Sequence, residues 1–133
     1  MGIVNLFRRA LERYGAAKSV DVSAVRDRIN ELSAVVSYTT TPLAAGASFT
    51  GTAFSTAGWG RIVGSCYSDQ GGTLYVDQRN DGLNWDVRSA FSYAAGSLMG
   101  FSVEVVGNEA RLVYVNGATA QTVFRLYCRL RRI

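Results

Sequence analysis

Gln121-Thr-Val-Phe-Arg-Leu-Tyr-Cys-Arg-Leu130 is the stretch whose reading decides the fold. Phe124, Leu126, Cys128 and Leu130 recur at every second position, with Gln121, Arg125 and Arg129 on the opposite side. A period of two puts one set on a buried face and the other in water, as in a strand with one solvated face. The same alternation continues upstream. Phe101, Val103 and Val105 oppose Ser102 and Glu104, and Trp85 and Val87 oppose Asp86 and Arg88. Strands are expected at residues 35–41, 47–54, 61–68, 73–78, 84–92, 101–106, 110–116 and 121–130. The turns between them carry their own chemistry. Asp69-Gln-Gly-Gly separates the third and fourth strands, and Asn80-Asp81-Gly82 the fourth and fifth; an Asp-Gly pair supplies the backbone conformations a tight hairpin needs. Gly107-Asn108 and Asn116-Gly117 bound the seventh strand. About eight short antiparallel strands in one domain fit a jelly-roll-like β-sandwich better than an open sheet, with a small barrel as the alternative.

The chain changes character near Ser33. Residues 1–33 read as a short helical arm and residues 34–133 as the β-sandwich domain. Asn5 can cap a helix from Leu6 to about Tyr14 that presents Leu6, Phe7 and Leu11 on one face, and Gly15 would end it. A second helix is expected from Asp21 or Ser23 to about Leu32. Its apolar residues Val22, Val25, Ile29 and Leu32, followed by Val36, keep the 3-4 spacing of a coiled-coil seam over about two heptads. Two readings stand: a helix packed on its own domain, or an oligomer and docking contact that makes a homo-oligomer, a trimer being favoured. The start of the chain has no apolar run fit for a signal peptide, because Asn5, Arg8 and Arg9 interrupt it. No segment approaches the roughly 18 apolar residues of a membrane span. The expectation is a protein made in a host cytoplasm with no membrane partner and with free thiols at Cys66 and Cys128.

Composition excludes several chemistries. The 133 residues contain no His, which removes the commonest general base and metal ligand. Ser65, Cys66 and the threonines therefore lack an activating base, and Lys18 is the single lysine. Asp77 and Asp86 alternate with apolar neighbours and read as solvated outer-face residues, while Asp81 suits its turn. Asp77-Gln-Arg-Asn-Asp81-Gly82 fails as an EF-hand because Arg79 and Arg88 occupy ligand positions. No catalytic residue, cofactor or metal ligand is expected. Trp59, flanked by Gly58 and Gly60, is the best candidate for an exposed ring that could stack on a glycan.

Charge is placed unevenly. The net charge is +4, and the last nine residues carry Arg125, Arg129, Arg131 and Arg132 without an acid. Arg125 and Arg129 share a strand face, and Arg131 and Arg132 are expected to form a tail. Four cations without interleaved exposed aromatics make nucleic acid an unfavoured partner. Guanidinium groups suit carboxylates on a protein surface.

Two stretches together carry a resemblance. Ser68-Asp-Gln-Gly-Gly-Thr-Leu-Tyr-Val-Asp-Gln-Arg-Asn-Asp-Gly-Leu-Asn-Trp-Asp86 and Ala110-Arg-Leu-Val-Tyr-Val-Asn-Gly-Ala-Thr-Ala-Gln-Thr-Val-Phe-Arg-Leu126 resemble a β-sandwich module of tailed-phage virion structural proteins. The resemblance covers roughly residues 35–130 and implies a non-enzymatic shell, tail or fibre component. From it we expect a virion protein, with a capsid decoration or cement subunit leading and a tail, baseplate or fibre-adaptor protein as the alternative. A carbohydrate-binding module for host glycans is the competing class. The expected partner is the major capsid protein or another virion protein, met through Arg125, Arg129, Arg131 and Arg132.

Overall fold

The computed structural model describes residues 31–132. The helical-arm residues Leu6, Phe7, Leu11, Val22, Val25 and Ile29 lie outside the described residues. What is described is all β, in nine antiparallel strands: β1 Ser37–Thr39, β2 Ser48–Thr50, β3 Phe54–Ser55, β4 Arg61–Ser68, β5 Gly72–Arg79, β6 Val87–Tyr93, β7 Met99–Glu104, β8 Glu109–Asn116 and β9 Phe124–Arg131. They form two sheets. One has the order β1-β9-β4-β7, and the other β2-β8-β5-β6, with β3 also pairing with β8.

The pairing is nested. β5 pairs with β6, β4 with β7, β2 and β3 with β8, and β1 with β9. Successive shells of one long hairpin thus alternate between the two sheets, which is a jelly roll. The sheets close on each other through residues that alternation had picked out. Phe124, Leu126, Cys128 and Leu130 of β9 are buried with Ile62 and Cys66 of β4 and Phe101 and Val103 of β7. Leu74 and Val76 of β5 and Leu112 and Tyr114 of β8 meet them from the opposite sheet. Removing one such large apolar side chain typically costs about 2–5 kcal/mol.

Four expectations change. Strand 47–54 is two strands, β2 and β3, broken at Gly51, whose amide bonds to the Leu112 carbonyl; a Cβ there would stand 2.7 Å from Ser37 Oγ. The second helix does not reach Leu32. Leu32 forms a β-bridge with Arg131, the Ser33 amide donates to the Leu130 carbonyl, and that of Val36 to Cys128. Backbone pairing with β9 satisfies these groups in place of helical bonds, so the heptad spacing does not continue as helix through Leu32 and Val36. Gln121 lies before β9 and is buried. Its Oε1 accepts the Leu43 amide and its Nε2 donates to Ser68 Oγ, so it faces inward, unlike Arg125 and Arg129. Arg131 belongs to β9, opposite Arg61, and is not part of a tail.

Candidate docking face

The two outer faces of the sandwich are built differently. On the β2-β8-β5-β6 sheet, register places Asp77 opposite both Arg88 and Arg111. Asp77 is therefore not solvated: its side chain is 1% exposed. It accepts Arg88 Nε at 2.6 Å, Arg88 Nη2 at 3.0 Å and Arg111 Nε at 3.0 Å. Burial alone would raise its pKa. The hydrogen bonds and charges of Arg88 and Arg111 outweigh that and hold it below the ordinary carboxylate range. Aromatic rings back the guanidinium groups. Arg88 lies 4.2 Å over the Tyr75 ring, and Trp85 takes Arg79 at 4.2 Å and Arg111 at 4.4 Å. Trp85 thus sits with outward-facing residues, not on the face of Val87, because β6 begins only at Val87. Arg79 also pairs with Glu109 at 3.3 Å. The charges of this face are satisfied among themselves.

The β1-β9-β4-β7 sheet is the contrast. Its strands carry Arg61, Arg125, Arg129 and Arg131 against one acid, Glu104. No carboxylate among the described residues lies within ion-pair distance of Arg61, Arg125 or Arg129. Arg61 instead donates to Ser102 Oγ at 2.6 Å, and Arg125 lies 4.6 Å over the Tyr67 ring. One row across the sheet reads Tyr38, Tyr127, Ser65, Gly100. The two tyrosines stack at 5.9 Å with their planes 7° apart, and the next two positions have little or no side chain. The step between them opens two hollows of about 400 and 480 Å³ that share Ser65, Gly100 and Tyr127 and so form one trough. Leu98, 93% exposed, stands at one end of it and Arg129 at the other.

The residues singled out from sequence fall in three places. Arg125, Arg129 and Arg131 come together on this trough through β9. Arg132 lies apart, 4.5 Å over the Trp59 ring. Trp59 is consequently not a free platform: it is partly buried against the core, with a guanidinium on its face. The third group comprises the turn carboxylates Asp81, from the loop rejected as an EF-hand, and Asp69. Asp81 accepts the Leu83 and Asn84 amides and the Asn84 side chain, and the two amides, Asn84 first, draw its pKa down to about 2. Asp69 closes the loop before β9 in the same way. The Thr122 hydroxyl and the Val123 amide draw it to about 2. Cys66 and Cys128 are buried free thiols, and burial pushes each up to about 12, so neither is a reactive thiolate at neutral pH. Sequence reasoning missed Ser65 and Gly100, because a trough floor is signalled by missing side chains on neighbouring strands.

Residues 22–131 match the family described as the N-terminal domain of the uncharacterised protein YqxG. No curated protein matches the chain. The crystal structure of the PBSX exported protein XepA is similar, with a TM-score of 0.68 and 25% identity over 75% of this chain. The chain spans 37% of XepA's length. A chain from the disulfide-linked pili of Bacillus endospore appendages matches with a TM-score of 0.46 and 17% identity, over 74% of this chain and 89% of its own.

Proposed function

The chain belongs to the YqxG N-terminal domain family, and from that premise we propose that it is a non-enzymatic structural subunit of a tailed-phage particle. The observations that carry the reading are the jelly roll shared with the PBSX exported protein XepA and the two stretches, Ser68–Asp86 and Ala110–Leu126, that resemble the virion module of tailed phages. The finer assignment is a decoration subunit that binds the outside of the shell and meets the major capsid protein or another virion protein. Cementing needs no reacting group. Modest contacts repeated by the symmetry of a shell give avidity. The Arg125 and Arg129 side of the sandwich supports the reading, since it offers guanidinium groups to a carboxylate-bearing surface without first breaking an ion pair among the described residues. The oligomer contact is assigned to the segment before Leu32, since Leu32 and Ser33 pair with β9, and the subunit works as a trimer.

Two measurements test this. Particles released from the cells that carry the gene are purified on a density gradient and analysed by mass spectrometry. The chain is expected in intact particles at a fixed ratio to the major capsid protein. Recovery only in the soluble extracellular fraction would sink the virion assignment, and recovery with isolated tails would replace decoration by a tail role. Solution mass is expected to fall from trimer in the full chain to monomer in the chain lacking residues 1–30, a cut that keeps the pairing of Leu32 and Ser33 with β9. A monomer in both forms would remove the oligomer contact.

A further inference from the structure

We propose that the trough on the outer face of the β1-β9-β4-β7 sheet is a docking site for an extended acidic segment of a partner protein. The proposal rests on the structural-subunit reading and specifies the chemistry of its partner. Three observations meet here. Charge is the first: Arg125 and Arg129, which line the trough, have no carboxylate within ion-pair distance among the described residues, whereas Asp77 and Glu109 answer the guanidinium groups of the opposite face. An acidic segment completes what the fold leaves open.

Shape is the second. Ser65 and Gly100 leave the floor bare, with Tyr127 rising on one side and Leu98 exposed beside it. A Cβ at Gly100 would come no nearer than 3.7 Å to the Gly64 carbonyl, so the bareness is not forced by crowding. Such a hollow takes one apolar side chain between flanking charges. Spacing is the third. Arg125 and Arg129 stand four residues apart on one strand, roughly 13 Å at about 3.3 Å per residue. A partner strand whose carboxylates sit four residues apart matches that interval. A base or a sugar ring is less well served, because Arg125 lies over Tyr67, and the one strongly exposed ring of this face, Tyr38, stands on the edge strand β1 away from the floor.

The test uses the full chain, labelled with nitrogen-15. It is titrated separately with a decapeptide carrying four glutamates around a central leucine, a sulfated decasaccharide and a ten-nucleotide single-stranded DNA. Amide shifts on peptide addition are expected at Ser65, Gly100, Tyr127 and Arg129. In the variant Arg125→Glu/Arg129→Glu the peptide's Kd should rise at least tenfold with Tm unchanged. Peptide shifts that are absent, or that gather around Arg79 and Arg111, overturn the proposal. So does tighter binding of the DNA or the saccharide than of the peptide in the trough. The particle assay separates the two readings. Retention of the charge-reversed variant on particles that also retain the wild type overturns the trough and leaves the virion role standing. Absence of the wild type from particles overturns the virion role, while the titration still decides the trough.

Discussion

The two outer faces of this sandwich are both rich in arginine, yet they spend it differently. On the β2-β8-β5-β6 face, Arg88 and Arg111 converge on one buried carboxylate, and Trp85 lies between Arg79 and Arg111. On the β1-β9-β4-β7 face, Arg125 and Arg129 project from a strand that carries no acid, on either side of Tyr127. A guanidinium paired inside the fold contributes to stability, and one left facing water is available to a partner. The difference teaches that composition alone does not locate a contact surface; register does. Asp77 neutralises its face only because β6 and β8 bring Arg88 and Arg111 level with it.

The largest effect expected from breaking this contrast is at Asp77. Asp77→Ala leaves two guanidinium groups without their acceptor at a buried position. Arg88 is 48% exposed and can recover water, which lowers the cost below that of a fully buried pair. A loss of about 2 kcal/mol is expected in chemical denaturation. The same residue sets a pH signature. Its folded pKa lies below the unfolded carboxylate value of about 3.9, so its contribution is complete above that pH and is lost as pH falls through the folded value. Wild type and Asp77→Asn should therefore differ at neutral pH and converge below about pH 4; a gap that persists into acid would show that packing, not charge, holds Asp77.

Trp85→Ala comes next. It removes the ring under two guanidinium groups at a half-buried site, and about 1–2 kcal/mol should be lost. If stability does not change, the stack is incidental to the face. Gly100→Ala should cost under about 0.5 kcal/mol, because its Cβ meets only ordinary contact, yet it should weaken the acidic peptide by partly filling the trough. The smallest effect on stability is expected for Arg125→Glu/Arg129→Glu, within about 0.5 kcal/mol of wild type. A loss as large as that of Asp77→Ala would erase the distinction between the faces.

Much of the fold was legible because strands with one wet face write their period into the chain. β4 coincides with the expected 61–68, and the buried set of β9 is the one that alternation selects. What stayed hidden depends on neighbours distant in sequence. Asp77 has the outward parity expected of it, but its burial comes from side chains 11 and 34 residues away. Trp59 sits between glycines, as an exposed loop ring would, and Arg132 from the far end of the chain lies over it. The heptad spacing through Leu32 and Val36 is real in the sequence, and a competing strand claims those positions. For the candidate site, the Arg cluster was visible and the trough was not. Ser65 and Gly100 become a floor only when β4 and β7 are laid side by side.

The place of β9 has a consequence for how the molecule is made. It is the last of the described strands, yet it lies between β1 and β4 and supplies four side chains to the core. A nascent chain leaving the ribosome can form the β5–β6 hairpin early, but its first strand must wait about ninety residues for a partner. Until then β4 lacks the strand that lies between it and β1, and that open edge is exposed to neighbouring chains on the same message. Closure is thus a late, single event. A chain cut before Phe124 would keep the partners of β5 and β7 yet leave one edge of β4 open to other chains.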